Sequence, residues 1–309
     1  MKIYMGARIL VAQPRGFCAG VVRAIKAAQD TVAEFGPPVY LPHPVVHNEL
    51  VIQGLERQGI YSVQGVDNVP DGAICIFSAH GSPERDYRVA VEKDLRVIDA
   101  TCPLVTKVHN EARKYSKEGY DIVLIGHEGH PEVRGTMGQV PMTLISENDS
   151  PPQLNRPVAV LTQTTLSKRD VAQSVTDIRK QYPDAIVRDD ICYAVSNRQD
   201  AVVELVKQGA EVVLVLGSKD SSNSVRMKEV AADYGVPAYL LLDANEFTSS
   251  MIGSASVVGI SAGASTPEAV VDDMLNLLQK ELGVPPEVIQ VADESGVVFT
   301  DAKRLWVDL

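Results

Sequence analysis

Short apolar runs alternate with amphipathic patterns along most of the chain. Runs such as residues 122–125 and 212–216 have the length and composition of buried strands. Between the runs, apolar residues such as Val105, Val108 and Ala112 recur every three or four positions, which predicts helices. Strands that alternate with helices indicate parallel α/β units. Polar loops follow many of these strands, and ligands of parallel sheets gather at the carboxyl ends of the strands.

The predicted strands fall into three similar sets. After a strand at residues 7–12, they are expected at residues 39–41, 60–63 and 73–77, then at 122–125, 142–145 and 158–161, and finally at 212–216, 238–242 and 256–260. A cysteine directly precedes a predicted helix in each set: Cys18, Cys102 and Cys192. This regularity predicts a threefold internal repeat with one thiol per repeat.

The repeat defines the expected domains. Three similar α/β domains are predicted at residues 1–101, 102–191 and 192–283, with their polar loops directed at a shared axis. Residues 284–309 have no counterpart in the repeat, and they are expected to pack back on the first domain.

Composition and charge narrow the classes of function. The chain has 309 residues, of which 45% are hydrophobic and 22% are charged, as in ordinary globular proteins. Its formal net charge of −11 argues against a nucleic-acid partner, but it permits a small anionic ligand in a local pocket. No targeting segment and no apolar run of roughly 18 residues occurs, so a cytoplasmic protein without a membrane partner is predicted. In that compartment cysteines are more often ligands or catalysts than disulfide partners.

Three equivalent thiols without a fourth favour an open iron–sulfur cluster. A structural zinc site normally has four protein ligands, whereas a [4Fe–4S] cluster held by three cysteines leaves one iron open to substrate. The fourth cysteine, Cys75, alternates with apolar neighbours and is interpreted as a buried strand residue. An alternative stays open, in which the other three cysteines begin helices without binding a ligand.

Polar residues after the predicted strands suit a phosphate or diphosphate. The pKa of histidine lies near neutrality, and its ring donates hydrogen bonds to phosphate oxygens. Helix N-termini present N–H groups to anions. The candidate substrate-binding residues are His47, His80, His130, Thr164, Ser221, Ser222, Asn223 and Ser265. The remaining histidines are interpreted as hydrogen-bonded loop residues: His43, His109 and His127.

Glu132 is the candidate acid, and Thr164 and His130 complete the candidate catalytic set. In a partly dry pocket the pKa of Glu132 would rise, so that its carboxyl group delivers a proton that Thr164 relays to a substrate hydroxyl. An acid beside a reducing cluster favours reductive loss of that hydroxyl as water. The alternative that Glu132 caps the following helix stays open.

The motifs, taken in order, resemble those of the LytB-type 4-hydroxy-3-methylbut-2-enyl diphosphate reductases. The resemblance rests on Arg15-Gly-Phe-Cys-Ala-Gly20, Val46-His-Asn48, Ser78-Ala-His-Gly81, Ala100-Thr-Cys-Pro103, Gly126-His-Glu-Gly-His-Pro-Glu-Val133, Gly135-Thr-Met-Gly-Gln139, Thr162-Gln-Thr-Thr-Leu-Ser167, Ile191-Cys-Tyr193, Asn197-Arg-Gln199, Gly217-Ser-Lys219, Ser221-Ser-Asn-Ser224 and Ala262-Gly-Ala-Ser265.

The resemblance implies a trefoil-like, pseudo-threefold fold around a central [4Fe–4S] cluster. The cluster would be held by Cys18, Cys102 and Cys192, with one open iron. The implied reaction is the two-electron reductive dehydroxylation of the allylic diphosphate to isopentenyl and dimethylallyl diphosphates. Its hydroxyl would bind the open iron, Glu132 would supply the proton, and a ferredoxin or flavodoxin would supply the electrons.

The chain departs from the motifs of this family at two places, and two other functions stay open as alternatives. Val22 replaces a frequent Asp of the family, and Pro42 and Pro44 flank His43 where the family commonly has Arg and Glu. These changes are expected to tune the surroundings of the site, and not the reaction. The alternatives are a metal-dependent diphosphate hydrolase with zinc-bound cysteines, and an iron–sulfur sensor, for which the chain shows no basic patch.

Overall fold

The computed structural model describes residues 6–147 and 149–306, which form three mainly parallel sheets. The strands are β1 (Arg8–Gln13), β2 (Val39–Leu41), β3 (Ile60–Ser62), β4 (Ile74–Phe77), β5 (Arg96–Asp99), β6 (Asp121–Ile125), β7 (Thr143–Ile145), β8 (Val158–Thr162), β9 (Ile186–Val187), β10 (Val212–Leu216), β11 (Ala238–Leu241), β12 (Val257–Ala262), β13 (Pro286–Gln290) and β14 (Lys303–Arg304).

Helices connect the strands in the order that parallel α/β units require. The α-helices are α1 (Ala19–Phe35), α2 (Glu49–Glu56), α3 (Glu84–Glu92), α4 (Pro103–Lys117), α5 (Pro131–Met137), α6 (Lys168–Gln181), α7 (Tyr193–Lys207), α8 (Ser222–Asp233), α9 (Ser249–Ile252) and α10 (Glu268–Leu282). Short 3₁₀ helices occur at Val66–Asn68 and Ala244–Glu246. The predicted α/β class is confirmed. No helix in the described ranges is long and apolar enough to cross a membrane.

The described chain divides into two compact units. The first unit contains the chain up to Cys18, together with His47–Val51 and Tyr193–Val298. The second unit contains Ala19–Val46, Ile52–Cys192 and the chain from Phe299 onward.

The first unit is built on one five-stranded parallel sheet. Its strand order is β11-β10-β12-β1-β13. Helix α10 covers one face with Val271, Met274 and Leu278, whereas α7 and α8 cover the other with residues such as Leu205 and Met227. Burial on both faces explains why β10 is a continuous apolar run instead of an alternating one.

The second unit contains the other two sheets. Their strand orders are β14-β5-β4-β2-β3 and β7-β6-β8-β9, and every pair is parallel except β14 with β5. Helix α4 covers one face of the β6–β8 sheet with Val108 and Ala112, and α6 covers the opposite face with Val171 and Ile178. Cys75 is fully buried in β4, as predicted, and burial raises the pKa of its thiol to about 12.

Some strands pair with strands that lie outside their own expected domain. Strand β1, within residues 1–101, pairs on its two edges with β12 and β13. The tail contributes β13 to this sheet and β14 to the edge of β5. A strand takes the neighbours that complete its backbone hydrogen bonds, and these need not belong to the same repeat. The domain limits themselves stay a prediction.

Candidate functional site

One local arrangement holds the cysteine of each repeat. The three cysteines directly precede α1, α4 and α7. Each cysteine N–H donates to a carbonyl two residues beyond the end of β12, β4 or β8, respectively. The pairs are Cys18 with Ala264 (3.2 Å), Cys102 with Ala79 (3.0 Å) and Cys192 with Thr164 (2.9 Å). The same bond therefore ties each cysteine to the polar loop that follows a central strand.

This arrangement suits a thiolate ligand at each cysteine. Helix N-termini favour negative charge, and the helices that begin here have 15 or 17 residues. All three cysteines are partly exposed, unlike Cys75. Within residues 6–147 and 149–306, however, no group of three or more Cys, His, Asp or Glu side chains has the spacing of a metal site. The donor chemistry fits an iron–sulfur cluster, and its ligation stays a prediction.

Glu132 and Thr164 form a buried acid–hydroxyl pair in the second unit. The Glu132 side chain is on α5, and the residue is 2% exposed. Its carboxyl group accepts two hydrogen bonds, from the Thr164 N–H (2.6 Å) and the Thr164 hydroxyl (2.8 Å). Thr164 also carries the carbonyl that accepts from Cys192. One threonine thus connects the acid with the backbone of a candidate cluster ligand.

Burial raises the pKa of Glu132. Removal of its carboxylate from water raises the pKa to about 7, although the two bonds from Thr164 oppose the rise. The nearby charge of Asp190 adds to the rise. A carboxyl group with a pKa near neutrality is suited to proton delivery at physiological pH.

His130 caps helix α5, so Glu132 is left for other contacts. The His130 Nδ1 accepts from the Glu132 N–H at 3.2 Å. The alternative in which Glu132 is the cap is therefore wrong. A neutral imidazole that accepts at Nδ1 carries its proton on Nε2, where it is a donor for an anion. The ring of His80 lies edge-on to that of His130, with centroids 5.9 Å apart.

The first unit holds the candidate anion-binding residues of α8. Ser221 caps this helix and accepts from the Ser224 N–H. Asn223 is 3% exposed, and its side-chain oxygen has no hydrogen-bond partner among the described residues. Ser222 lies between them at the first helical position. A helix N-terminus flanked by hydroxyl and amide groups is suited to phosphate.

Ser265 joins the His47 loop to the end of β12. Its hydroxyl donates to the His47 carbonyl at 3.0 Å. Burial lowers the pKa of His47, which keeps the imidazole neutral at physiological pH. The structure therefore places His47, Ser221, Ser222, Asn223 and Ser265 in the first unit, and His80, His130, Glu132 and Thr164 in the second.

Two glycines leave the space that Ser224 occupies. A Cβ at Gly263 would lie 2.0 Å from the Ser224 Oγ, and one at Gly217 would lie 2.3 Å from it. Ser224 in turn donates to the Ser221 hydroxyl at 3.1 Å. The close approach of these backbones to Ser224 therefore fixes the cap of α8.

Gly263→Ala is expected to destabilise the chain by about 1–3 kcal/mol, because overpacking displaces Ser224. Urea unfolding measures this change. Gly296→Ala is the matched control, since a Cβ there meets nothing within 4 Å; a change below about 0.5 kcal/mol is expected for it. Equal stabilities for the two variants would contradict the packing argument.

A sequence comparison shows which family this arrangement belongs to. The sequence model of the LytB protein family matches residues 9–279, which is most of the chain. The chain belongs to the LytB protein family.

Full-length LytB relatives are reductases by name. The chain is 45% identical over 313 residues to the 4-hydroxy-3-methylbut-2-enyl diphosphate reductase of Pectobacterium atrosepticum, with 98% of each chain covered. It is 43% identical over 297 residues to reductase 1 of the same name from Rhodopseudomonas palustris, which covers 93% of this chain and 96% of the relative. A solved E-1-hydroxy-2-methyl-but-2-enyl-4-diphosphate reductase from Plasmodium falciparum has a TM-score of 0.90 at 33% identity, with 95% of each chain covered.

Two buried charged residues of this LytB chain were missed by the sequence analysis. Arg198 is 0% exposed, and it donates to the carbonyls of Gly16 (2.7 Å) and Ala194 (2.9 Å) and to Glu294. The Asp190 carboxylate accepts a hydrogen bond from the Lys107 ammonium group at 3.1 Å, and burial raises the pKa of Asp190. The sequence signals for Arg198 were its place in the motif Asn197-Arg-Gln199 and its position between Val195 and Val202 on one face of α7.

The three other histidines of this LytB chain have different outcomes. His127 is hydrogen-bonded as predicted, to Glu147 at 3.0 Å. His43 lies 3.6 Å from Asp86. The interpretation of His109 is wrong, because it lies inside α4 and its Nε2 has no partner among the described residues. Burial lowers the pKa of His109 to about 4, and its ring packs against Gly81.

Proposed function

We propose that this chain reduces 4-hydroxy-3-methylbut-2-enyl diphosphate to isopentenyl and dimethylallyl diphosphates. Two electrons and two protons enter, the allylic C–O bond breaks, and one water leaves. The observation that carries the proposal is the Glu132–Thr164–Cys192 connection, in which a buried carboxyl group with a pKa near 7 is joined through Thr164 to a cysteine at a helix start. The names of the full-length relatives support the same substrate.

Three residues are assigned to the iron–sulfur group. Cys18, Cys102 and Cys192 would hold a [4Fe–4S] cluster with one iron that has no protein ligand. When bound, the cluster supplies electrons and a Lewis-acidic iron for the substrate hydroxyl. The shared position of the three cysteines before a helix, and their shared backbone bond, support this assignment.

Glu132 is assigned as the proton source, and Thr164 as its relay. When Glu132 is protonated, its carboxyl O–H donates to the Thr164 hydroxyl, which then donates to the substrate hydroxyl. The proton converts that hydroxyl into water, a far better leaving group than hydroxide. Burial of the pair excludes bulk water from the carboxyl group and favours its protonated form.

The diphosphate is assigned to neutral and dipolar donors. In the first unit these are His47, Ser221, Ser222, Asn223 and Ser265, at the N-terminus of α8 and beside it. In the second unit, His80 and His130 are assigned the same role, with the proton of His130 on Nε2. Backbone and side-chain dipoles bind an anion without placing a fixed cation beside the reacting carbon.

The acid assignment predicts a falling alkaline limb in turnover. Since the active form of Glu132 is protonated, kcat is expected to decrease as pH rises through about 7. A pH profile of kcat between pH 6 and 9, with reduced methyl viologen as donor, checks this expectation. A profile that is flat to pH 9 would contradict the assignment of Glu132.

An anaerobic turnover assay tests the function itself. The purified chain is incubated with reduced methyl viologen and the allylic diphosphate, and products are followed by ³¹P and ¹H NMR. Isopentenyl and dimethylallyl diphosphates are expected, with two equivalents of viologen oxidised per substrate. Release of inorganic phosphate without viologen oxidation would support a hydrolase instead.

A further inference from the structure

We propose that a groove beside Cys102 is the docking surface for an acidic protein electron carrier. This inference rests on the proposed function, because only a reductase needs such a partner. The groove has a volume of about 590 Å³ and lies within the second unit. Its wall includes Thr101 and Pro103, the two residues that flank Cys102 in the chain. The exposed side of α4 and Lys303 of β14 complete it.

Positive charge predominates in this groove. Four cationic side chains line it: Arg23, Lys107, Lys114 and Lys303. Lys107 is neutralised, because it lies 3.1 Å from Asp190 and 4.0 Å from Glu111.

The other three cations have no carboxylate partner among the described residues. Arg23 donates only to backbone carbonyls, those of Thr101, Thr300 and Asp301. Lys114 lies over the ring of Tyr115, 5.3 Å from its centroid, and ion pairs of Lys114 and Lys303 are absent from the described ranges. Three uncompensated cations on a chain with a net charge of −11 form a local field that is opposite to that of the whole molecule.

The two carboxylates that line the groove are turned toward the protein. Asp99 accepts from the Tyr87 hydroxyl at 3.0 Å and from the Thr101 N–H at 2.9 Å. Glu111 pairs with Arg188 at 2.7 Å, and its side chain is 14% exposed. Arg188 therefore compensates Glu111, and Asp99 keeps one negative charge against three cations, so the surface that a partner would meet is net positive.

A short bonded route leads from the groove to Cys102. The Arg23 Nη1 donates to the Thr101 carbonyl at 3.0 Å, and a peptide bond joins that carbonyl to Cys102. A carrier docked here would bring its redox centre close to one proposed cluster ligand. Each docking event transfers one electron, so two reduced carriers are oxidised for each diphosphate.

The groove favours a protein over a small anion as its occupant. Lys107, Lys114 and Lys303 are exposed, so most of the positive charge of the groove lies on an open surface. Exposed charges around an open surface steer encounter with an oppositely charged protein and give it a salt-dependent affinity. An acidic ferredoxin has this charge and carries one electron at a time.

The test compares docking with turnover in the charge-reversed variant Lys114→Glu/Lys303→Glu. The probe is a purified acidic [2Fe–2S] ferredoxin, and its Kd is measured by biolayer interferometry at 50 and 200 mM salt. For the unsubstituted chain, affinity should fall at the higher salt. For the variant, we expect Kd and the KM for ferredoxin to rise at least tenfold, whereas kcat with reduced methyl viologen is unchanged. The neutral variant Lys114→Gln/Lys303→Gln should fall between the two.

Lys228→Glu is the matched control, since this lysine is exposed on α8 and is not among the residues that line the groove. It should bind ferredoxin as the unsubstituted chain does, and thermal melting verifies that each variant folds. Absence of ferredoxin binding, or equal Kd values for the groove variant and the control, would overturn the docking surface. Failure of methyl viologen to support turnover would count against the proposed function alone, because the binding measurement is independent of it.

Discussion

Glu132→Gln is expected to lower kcat by about 10²–10⁴-fold, with the iron content of the chain unchanged. Glutamine keeps the size of the side chain but has no acidic proton to deliver. Glu132 is buried and is held through both carboxyl oxygens by Thr164, so no other carboxyl group replaces it in that position. Single-turnover kinetics with the reduced enzyme separate this chemical step from electron delivery.

Stability provides the control for this variant. The pKa of Glu132 rises from 4.5 to about 7 on folding, so the folded chain binds more protons than the unfolded chain between these values. The contribution of Glu132 to stability is therefore greatest below pH 4.5, and it is lost as pH rises through about 7. At pH 8 the glutamine variant should be at least as stable as the unsubstituted chain, although its turnover is much slower. Normal turnover by this stable variant would remove Glu132 from the mechanism.

Arg198→Met is expected to destabilise the first unit by about 3–5 kcal/mol, the cost of breaking a buried ion pair. The guanidinium group is fully buried and binds two carbonyls as well as Glu294. Its loss leaves Glu294 without its cation and the Gly16 carbonyl without a donor. Because Gly16 lies two residues before Cys18, the variant should also retain less iron.

Denaturant unfolding measures the loss, and Arg8→Met is its matched control. Arg8 also pairs with a glutamate, Glu287, in the same unit, but both side chains are about half exposed. Exposed pairs contribute roughly 0–1 kcal/mol. The double variant Arg198→Met/Glu294→Gln should recover part of the stability, since it removes the unpaired carboxylate. Similar losses for the Arg198 and Arg8 variants would contradict the structural role of Arg198.

Local sequence patterns predicted the helices and strands better than they predicted which strands pair with each other. The strand at residues 7–12 was expected from its apolar run, but the run carries no information about pairing with β12 and β13. Strands β9 and β14 have two residues each, too few for a periodic pattern. Strand β5 was also missed because its apolar pattern is short: only two of its positions are buried, and the charged residues Arg96 and Asp99 lie on either side of them.

Side-chain chemistry was predictable where it repeats along the chain. The cysteines were found because each begins a helix, and Glu132 because it follows His130 in a polar loop. The backbone bond from Cys192 to Thr164 depends on tertiary contact, and so does the burial that raises the pKa of Glu132. The burial of Arg198 was missed although its helix was predicted. Its partners Gly16 and Glu294 come from distant segments of the chain, which a local pattern does not reveal.

The central claim is that three cysteines, and not four, hold an iron–sulfur cluster. Iron, zinc and acid-labile sulfide per chain, measured after purification without oxygen, test it most directly. About four irons and four sulfides are expected in the unsubstituted chain and in Cys75→Ser, with loss of most iron in Cys18→Ser, Cys102→Ser and Cys192→Ser. Zinc in place of iron, or loss of iron in the Cys75 variant alone, would contradict the claim.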